Sequence, residues 1–475
     1  MWREFYKSLG VSHKAVLIAL LIFSTVVNVT AQAVAFPGAE GYGKYATGGR
    51  GGTVLIVSNL NDDGDGSFRE AAEAKDPRII LFTVSGTIHL QSPVRIRANA
   101  TIAGQTAPGD GICIADHPVI LGGDNIIVRY MRFRMGDKYQ NKGKVHGSGH
   151  DDAFGGNRHK HIIIDHCSLS WSTDEVLTVY NGDSTTLQWN IIAEPLNYSY
   201  HFENGDTDFE QHGYGGIWGG KHFSGHHNLF AHCKSRNPRF SGIRNVPEEL
   251  ADFRNNVIYN WGENSVYGGE GGNYNIVNNY YRSGPSTRKD VLARILNPFK
   301  QPPIPYGKFY VHGNCVDGSE EVSKNNWNGV VMAGKGTEED KQASRMTSPF
   351  NTDKITTTSA EQAYKEVLQK AGAVLPIRDA VDTRIINDVK RKTGKIIDVQ
   401  GGYPHGTAYE KTTDAWPVLK SLSPPVDSDH DGMPDAWEKK QGLNPHDAAD
   451  ASATGKQSTY TNIEHYINSL VAGKQ

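Results

Sequence analysis

Two stretches of the chain gather chemistry-bearing residues at informative spacing. The first is DSDHDGMPDAWE, near the C-terminus. With Asp427 as position 1, Asp429, Asp431, Gly432, Met433, Asp435 and Glu438 fall at positions 3, 5, 6, 7, 9 and 12 of an EF-hand-type loop. Acids at 1, 3 and 5, a backbone carbonyl at 7 and a bidentate acid at 12 are the hard oxygen donors that Ca2+ takes. Without a cation, so many carboxylates in so short a span would repel. The expectation is a structural calcium loop, and the alternative is a solvated acidic linker. The second stretch is HHNLFAHCKSRNPRFSG, residues 226–242, which holds His226, His227, His232, Lys234, Arg236 and Arg239 around Pro238. Cations concentrated in this way suit a ligand that carries repeated negative charge.

The rest of the chain sharpens that contrast. Lys+Arg number 49 against 52 Asp+Glu, a net charge of −3. A general nucleic-acid binder needs a broad basic face, so that class is excluded, and a polyanion would have to be met locally. At the N-terminus Lys14 precedes the apolar run Ala15–Val27, and VNVTAQA offers a small-residue cleavage site after Ala31. Residues 1–31 therefore read as an export signal, too short in its apolar part to span a bilayer, which takes about 20 residues. A secreted protein is expected, extracellular or periplasmic, with no membrane attachment after cleavage. Cys113, Cys167, Cys233 and Cys315 are too sparse for a disulfide scaffold and read as buried thiols.

The elements that must position these residues are mostly short strands. TVLIVSNL, RIILFTVSGTIHL, GICIADHPVILGG, NIIVRYMRFRMG, HIIIDHCSLSW, TLQWNIIAE and ADFRNNVIYNWG are apolar runs closed by Gly, Asn or Asp, without helical periodicity. Asn recurs inside or just after them, at Asn190, Asn228, Asn255, Asn256, Asn278 and Asn279. Stacked Asn side chains satisfy turn backbone in a parallel β-helix; ordinary turns of a sandwich or propeller are the alternative. After Asn328 the texture changes. SAEQAYKEVLQKAG opens with Ser359 and Gln362 in capping-box spacing and ends at Gly372, which predicts a helix. The expected organisation is an export signal (1–31), a β-helix (32–328), an extension packing on it (329–424), and a calcium-loop tail (425–475) after the Pro424–Pro425 linker.

Residues 34–285 carry, in order, AFPGAEGYGKYATGGRGG, SGTIHL, TIAGQTAPG, NIIVRYMRFRMGD, DDAF, IIIDHCSLSWSTDE, HHN and SRNP. This ordered set resembles the pectate lyases, secreted right-handed parallel β-helix enzymes. The tail loop in turn resembles thrombospondin-type-3 and dockerin-like segments. The resemblance implies cleavage of α-1,4-polygalacturonate by β-elimination, giving 4,5-unsaturated oligogalacturonates. That reaction removes the C5 proton beside a carboxylate and expels the C4 oxygen. A Ca2+ bridging protein and uronate would stabilise the enolate-like charge.

By the same resemblance, Arg236, eight residues after Asn228 in Arg236-Asn237-Pro238, corresponds to the base. Asp152, thirteen before the Asp165-His166 pair, and Asp174 correspond to the catalytic-calcium carboxylates. The family's second acid, four after Asp174, is here Thr178, leaving Glu175 as the neighbouring acid able to enter. His150 is a further departure, where some members carry an acid. Arg239 and Lys221 are the candidate substrate cations, with Ser241 standing where a further Arg is expected. Tyr198, Tyr200, His201, His212, Tyr214 and Trp218 read equally as sugar-stacking rings or as loop packing. His226 and His227 read as stacking residues of the strand, and Asp165 as the residue that orients His166. A monomer that binds no nucleic acid is expected. The rival readings are a pectin lyase acting on methyl-esterified polymer without calcium, a hydrolytic β-helix, and a non-catalytic binder of acidic glycans.

Overall fold

The computed structural model describes residues 32–140, 151–202, 209–244, 246–455 and 458–473. The export signal and His150 lie outside them. Short strands coil repeatedly in the same direction and pair only in parallel, forming three faces. One face runs from Thr53–Val57, paired with Arg78–Phe82, to Lys308–His312. The second begins at Gly86–His89 and ends at Cys315–Val316. The third holds Val94–Ile96, Val119–Leu121, Phe154–Asn157, Ile217–Gly220, Arg239–Phe240, Val266–Gly268 and Leu296–Pro298. The long strand Leu177–Gln188 turns the corner from the third face to the first, bonding Phe154–Asn157 with one end and Lys160–Asp165 with the other. The chain is a parallel β-helix.

Because successive residues of a strand point to opposite sides, every coil sends alternate residues inward. Leu177, Phe154, Val266, Leu296, Ile164 and Leu169 meet in one dry core. Their neighbours on the third face, Ile120, Gly155, Thr178, Ile217, Arg239, Tyr267 and Asn297, pair in one continuous outward row.

Between the first two faces the chain bends sharply at every coil, and two ladders fill the bend. On the inside, the amide oxygen of each Asn accepts from the preceding coil: Asn190 N donates to Asn228 at 2.9 Å, Asn228 N to Asn256 at 2.9 Å, Asn256 N to Asn279 at 2.9 Å, and Asn279 N to Asn314 at 2.9 Å. On the outside, Tyr130, His166, Trp189, His227, Asn255 and Asn278 occupy the left-handed backbone region. This explains the Asn-Asn doublets: Asn256 and Asn279 belong to the inner ladder, while Asn255 and Asn278 tolerate the positive φ. His227 stacks on Trp189 at 4.2 Å, and burial pushes its pKa down to about 3, so it is a neutral stacking ring. Asp165 accepts from His166 Nδ1 at 2.7 Å and Arg129 Nε at 2.8 Å, fixing that ring in place.

Asn256→Ala is expected to destabilise the protein by about 3 kcal/mol. It orphans the Asn228 amide and the Gly225 carbonyl, and a buried unsatisfied group costs about 1–3 kcal/mol. Urea unfolding checks this; a loss under about 1 kcal/mol would show that water replaces the ladder.

After the last coil, helix Ala360–Lys370 forms where the spacing predicts it. Ser359 accepts from Gln362 N at 3.2 Å, and Gly372 follows with φ +84. The capping box is only half made, because the Gln362 amide turns to Glu366 at 2.8 Å. A second helix, Ala380–Arg391, packs beside it. Val367, Leu368, Ile385, Ile386 and Val389 cover Ile191, Leu229 and Val257 of the second face. Asp379 and Asp382 anchor it to the buried Arg132 and Arg134. The tail covers the first face, where Met433, Ile463 and Ile467 pack on Ile79 and Leu81. Cys113, Cys167 and Cys233 are buried and unpaired, and Cys315 is half-buried. Among the described residues, no helix is long and apolar enough to cross a membrane.

Candidate active site

The outward row of the third face floors a groove of about 380 Å³ lined by Asp151, Asp152, Gly155, Asp174, Glu175, Thr178, Ile217 and Arg236 among others. Its floor must be flat. A Cβ on Gly155 would come within 2.3 Å of the Thr178 carbonyl oxygen, so glycine lets adjacent coils meet there.

Acids reach the groove from two turns zipped together by the backbone. Asp174 N donates to Asp151 O at 3.1 Å and Ala153 N to Glu175 O at 3.0 Å, while Glu175 N donates to the Asp152 carboxylate at 3.0 Å. Asp152, Asp174 and Glu175 thus each bring a carboxylate oxygen to one small region. Burial, with Asp174 close by, pushes the Asp152 carboxyl well above the usual range, while the Thr178 hydroxyl bonded to it pulls the other way. Thr178 therefore gives Asp152 a hydroxyl and adds no charge of its own.

Arg236 comes from the next coil. Its backbone sits at φ 57, before the cis Asn237–Pro238 bond, and is pinned by Gly216 N donating to its carbonyl at 2.9 Å. The guanidinium pairs with Glu175 and lies 4.4 Å above the Tyr214 ring. The structure thus unites Arg236, Asp152, Asp174 and Glu175.

Arg239 lies on the outward row beside Ile217, but it is buried and held by Glu270 at 2.7 Å. Lys221 follows the strand Ile217–Gly220 at its far end, outside the groove lining, and pairs with Glu248 at 3.3 Å. Ser241 donates to Asn181 at 3.0 Å. Of the aromatic residues, Trp218 is core, bonded to Leu177 O, whereas Tyr214 supports Arg236. Sequence reading treated His201 and His212 only as candidate aromatics. Both turn on Asp174, His212 Nε2 lying 2.5 Å from its carboxylate, and against the upward push of burial the hydrogen bond from His212 and the nearby His201 hold the Asp174 carboxyl below the usual range. The stretch between Asp174 and Arg236, rich in His and Tyr, is the sequence signal that could have found them.

The donor set suits a hard divalent cation: three carboxylates, two of them adjacent and insufficiently neutralised. The tail has a second such set. Asp427, Asp429 and Asp431 converge, and Asp431 also faces Glu438 and Asp450. One oxygen each of Asp427, Asp429, Asp431 and Asp450 and both of Glu438 are buried without a hydrogen-bond partner, a state that costs free energy unless a cation is held there. Burial, and then their mutual repulsion, push Asp431 and Glu438 up to about 7. Gly432 has φ +93, and a Cβ there would come within 2.4 Å of Leu81. The Met433 side chain is core. Asp435 differs from the loop expectation, since its carboxylate accepts from Ser428 N at 2.8 Å and Ser428 Oγ at 2.9 Å. Asp450, beyond the twelve-residue motif, faces the cluster.

No protein-family model matches the chain. It is 36% identical over 476 residues to the probable pectate lyase C of Aspergillus fumigatus, covering 96% of this chain and 97% of that one. To the probable pectate lyase C of Emericella nidulans it is 32% identical over 469 residues, covering 95% and 96%. Among solved structures, the cedar pollen major allergen jun a 1 aligns over 71% of this chain and 93% of its own, with a TM-score of 0.48 and 16% identity. With relatives this similar along nearly the whole length, the chain belongs to the pectate lyase family of polysaccharide lyases.

Proposed function

We propose that the protein is a secreted, calcium-dependent enzyme that cleaves α-1,4-polygalacturonate by β-elimination, releasing 4,5-unsaturated oligogalacturonates. The observation that carries this is Arg236 facing Glu175 beside Asp152 and Asp174 over an open groove. Asp152, Asp174 and Glu175 would hold Ca2+, which when bound would neutralise the uronate carboxylate and acidify its C5 hydrogen. In its neutral form, reached by first giving up a proton to solvent, Arg236 would accept that proton as the C4–O bond breaks and the C4–C5 double bond forms. A guanidinium is a poor base while it faces a carboxylate, and Glu175 is the residue shared between Arg236 and the acidic set. Arg236 becomes competent when Glu175 is engaged elsewhere. The Tyr214 ring beneath keeps the guanidinium aimed at the groove. Export rests on residues 1–31, and the tail set would hold a separate structural Ca2+.

The test is the unsaturated-uronate absorbance on polygalacturonate, with and without chelator. Full turnover under chelation would overturn calcium dependence.

Thr178 favours a second reading, lyase action on methyl-esterified pectin, because it supplies a hydroxyl instead of a charge. Faster turnover of esterified than of de-esterified polymer would support it. On the primary reading, Thr178→Asp adds a carboxylate beside Asp152 and is expected to lower the calcium needed for half-maximal rate about tenfold, equivalent to ~1.4 kcal/mol. An unchanged calcium titration would place the cation elsewhere.

A further inference from the structure

The outward row that floors the groove runs past the acids in both directions. Toward the C-terminal coils it passes from Ile217 to Arg239. There the guanidinium is engaged by Glu270, with the Tyr267 and Phe299 rings 5.4 and 5.9 Å away. Toward the N-terminal coils it passes from Gly155 to Ile120, which still lines the groove, and from Ile120 to its partner Arg95. Neighbouring strands stand about 4.8 Å apart, so Arg95, two coils on, is roughly 10 Å from Gly155. It is the exposed residue of the strand Val94–Ile96. The acid beside it, Glu73, accepts from the Arg95 backbone N at 3.1 Å and faces Arg69 at 3.6 Å. Among the described residues, then, no carboxylate holds the Arg95 guanidinium.

Glycine decides where that side chain lies. A Cβ on Gly122 would come within 2.5 Å of Arg95 Cγ and 3.1 Å of its Cδ. The Arg95 stem therefore crosses Gly122, leaning onto the coil that carries Ile120, and any larger residue there would displace it. Gly156 repeats the device one coil on, since a Cβ there would fall 2.8 Å from Leu121 Cβ. The same register, continued, sets Asn157 beside Gly122. Asn157 in turn pairs with Tyr180, its amide nitrogen 3.4 Å from the phenol oxygen, and both line the groove. Asp152 precedes the strand Phe154–Asn157 and Asn157 ends it. The acids and the Asn157–Tyr180 pair thus stand on opposite sides of the floor, and Arg95 leans toward the second.

We infer that Arg95, Asn157 and Tyr180 form a distal subsite that binds one uronate unit of the polymer, away from the unit that is cleaved. The planar guanidinium fork matches a sugar carboxylate. The Asn157 amide offers both a donor and an acceptor to ring hydroxyls, and Tyr180 offers an apolar ring with a polar tip. The inference rests on the groove being the seat of polygalacturonate, and it gives that reading a cation it otherwise lacks, because Arg239 and Lys221 are both held by acids. It also gives the polymer a direction, from the acids toward the N-terminal coils. A chain long enough to reach Arg95 gains a contact that a short one does not, so the subsite sets a preference for length.

The experiment compares Arg95→Gln with Arg97→Gln. Arg97 is also exposed and lies two residues on, just beyond the strand, so its loss removes the same charge without touching the subsite. Calorimetric titration of hexagalacturonate, with calcium and in the Arg236→Lys background, reads binding apart from cleavage. Arg95→Gln is expected to weaken binding about tenfold, the loss of one charge-assisted carboxylate contact. Asn157→Ala should weaken it about threefold, as for a neutral hydrogen bond, and Arg97→Gln less than about twofold, as for a screened surface charge. In the protein with Arg236 intact, Arg95→Gln should raise KM for hexagalacturonate by the same factor, leave kcat unchanged, and leave KM for trigalacturonate nearly unmoved. Unchanged hexagalacturonate binding in Arg95→Gln, or equal weakening in Arg97→Gln, overturns the subsite. An equal rise in KM for the trimer overturns its distance from the cleaved bond. If the parent binds no hexagalacturonate, the reading of the groove fails, and the subsite with it. If it binds through Arg95 yet never cleaves, the subsite stands and the lyase reading alone falls.

Discussion

Arg236→Lys is expected to lower kcat on polygalacturonate by about 10³-fold, within the 10²–10⁴-fold that a positioned acid–base group contributes, while KM moves only a few-fold. Lysine keeps the positive charge and so keeps an ion pair with Glu175, but it loses the planar fork that rests on Tyr214. The substitution therefore separates two roles. If Arg236 only gripped substrate carboxylates, lysine would retain most of the turnover and the loss would fall on KM. The fold should be unaffected, because the guanidinium lies at the groove and outside the core. An unchanged unfolding curve with lost kcat is the expected pair of results. Full turnover in Arg236→Lys would remove Arg236 from proton transfer and leave it as a clamp.

How far the chain explains itself depends on the range of the interaction. Alternation and Asn recurrence are local patterns, and they carry the coil architecture, while which member of each Asn doublet enters the ladder is seen only in the structure. The position of Arg236 is legible through the family resemblance, whose eight-residue spacing from Asn228 leads from one bend of a coil to the next face. Glu175 is legible as an acid able to enter the calcium set, though not as the partner of Arg236. Its partnership with Arg236 depends on the coil between them, which carries a loop of no regular pattern. Arg239 and Lys221 show the limit most clearly. Their charges suit a polyanion, yet Glu270 and Glu248 already face them, and both partners lie a coil further along. Helix Ala380–Arg391 escaped notice because two of its anchoring contacts, Asp379 and Asp382, make sense only against Arg132 and Arg134, more than 240 residues earlier. Asp450 was missed for a simpler reason. The loop motif ends at Glu438, and the chain must turn back through helix Asp435–Gln441 before Asp450 arrives.

Calcium removal is expected to act on two separable sites. In the tail, the unpaired oxygens of Asp427, Asp429, Asp431, Glu438 and Asp450 make the metal-free loop unfavourable. A site held at 100 times its dissociation constant adds about 2.7 kcal/mol of stability. Chelation should therefore lower Tm by several degrees, given ~2–4 °C per kcal/mol in domains of 150–250 residues and less in longer chains. The pH dependence has a definite sign. Asp431 and Glu438, pushed up to about 7 in the folded protein, titrate near 4 when unfolded. Between those values the folded state binds more protons, so the chelated protein loses stability as pH rises from about 4 to 7. The calcium-loaded protein, with these carboxylates already neutralised, should be nearly flat over the same range. Asp427→Asn with Asp429→Asn should abolish the calcium dependence of Tm while leaving the calcium dependence of turnover. Asp152→Asn should do the reverse, since its carboxylate lies in the groove and the tail packs against another face. Thermal scans and initial rates on the same three proteins, across calcium concentration and pH, decide the matter. If one substitution abolished both dependences, the two acidic sets would be a single linked calcium system and the separation argued from their distance in the fold would fail.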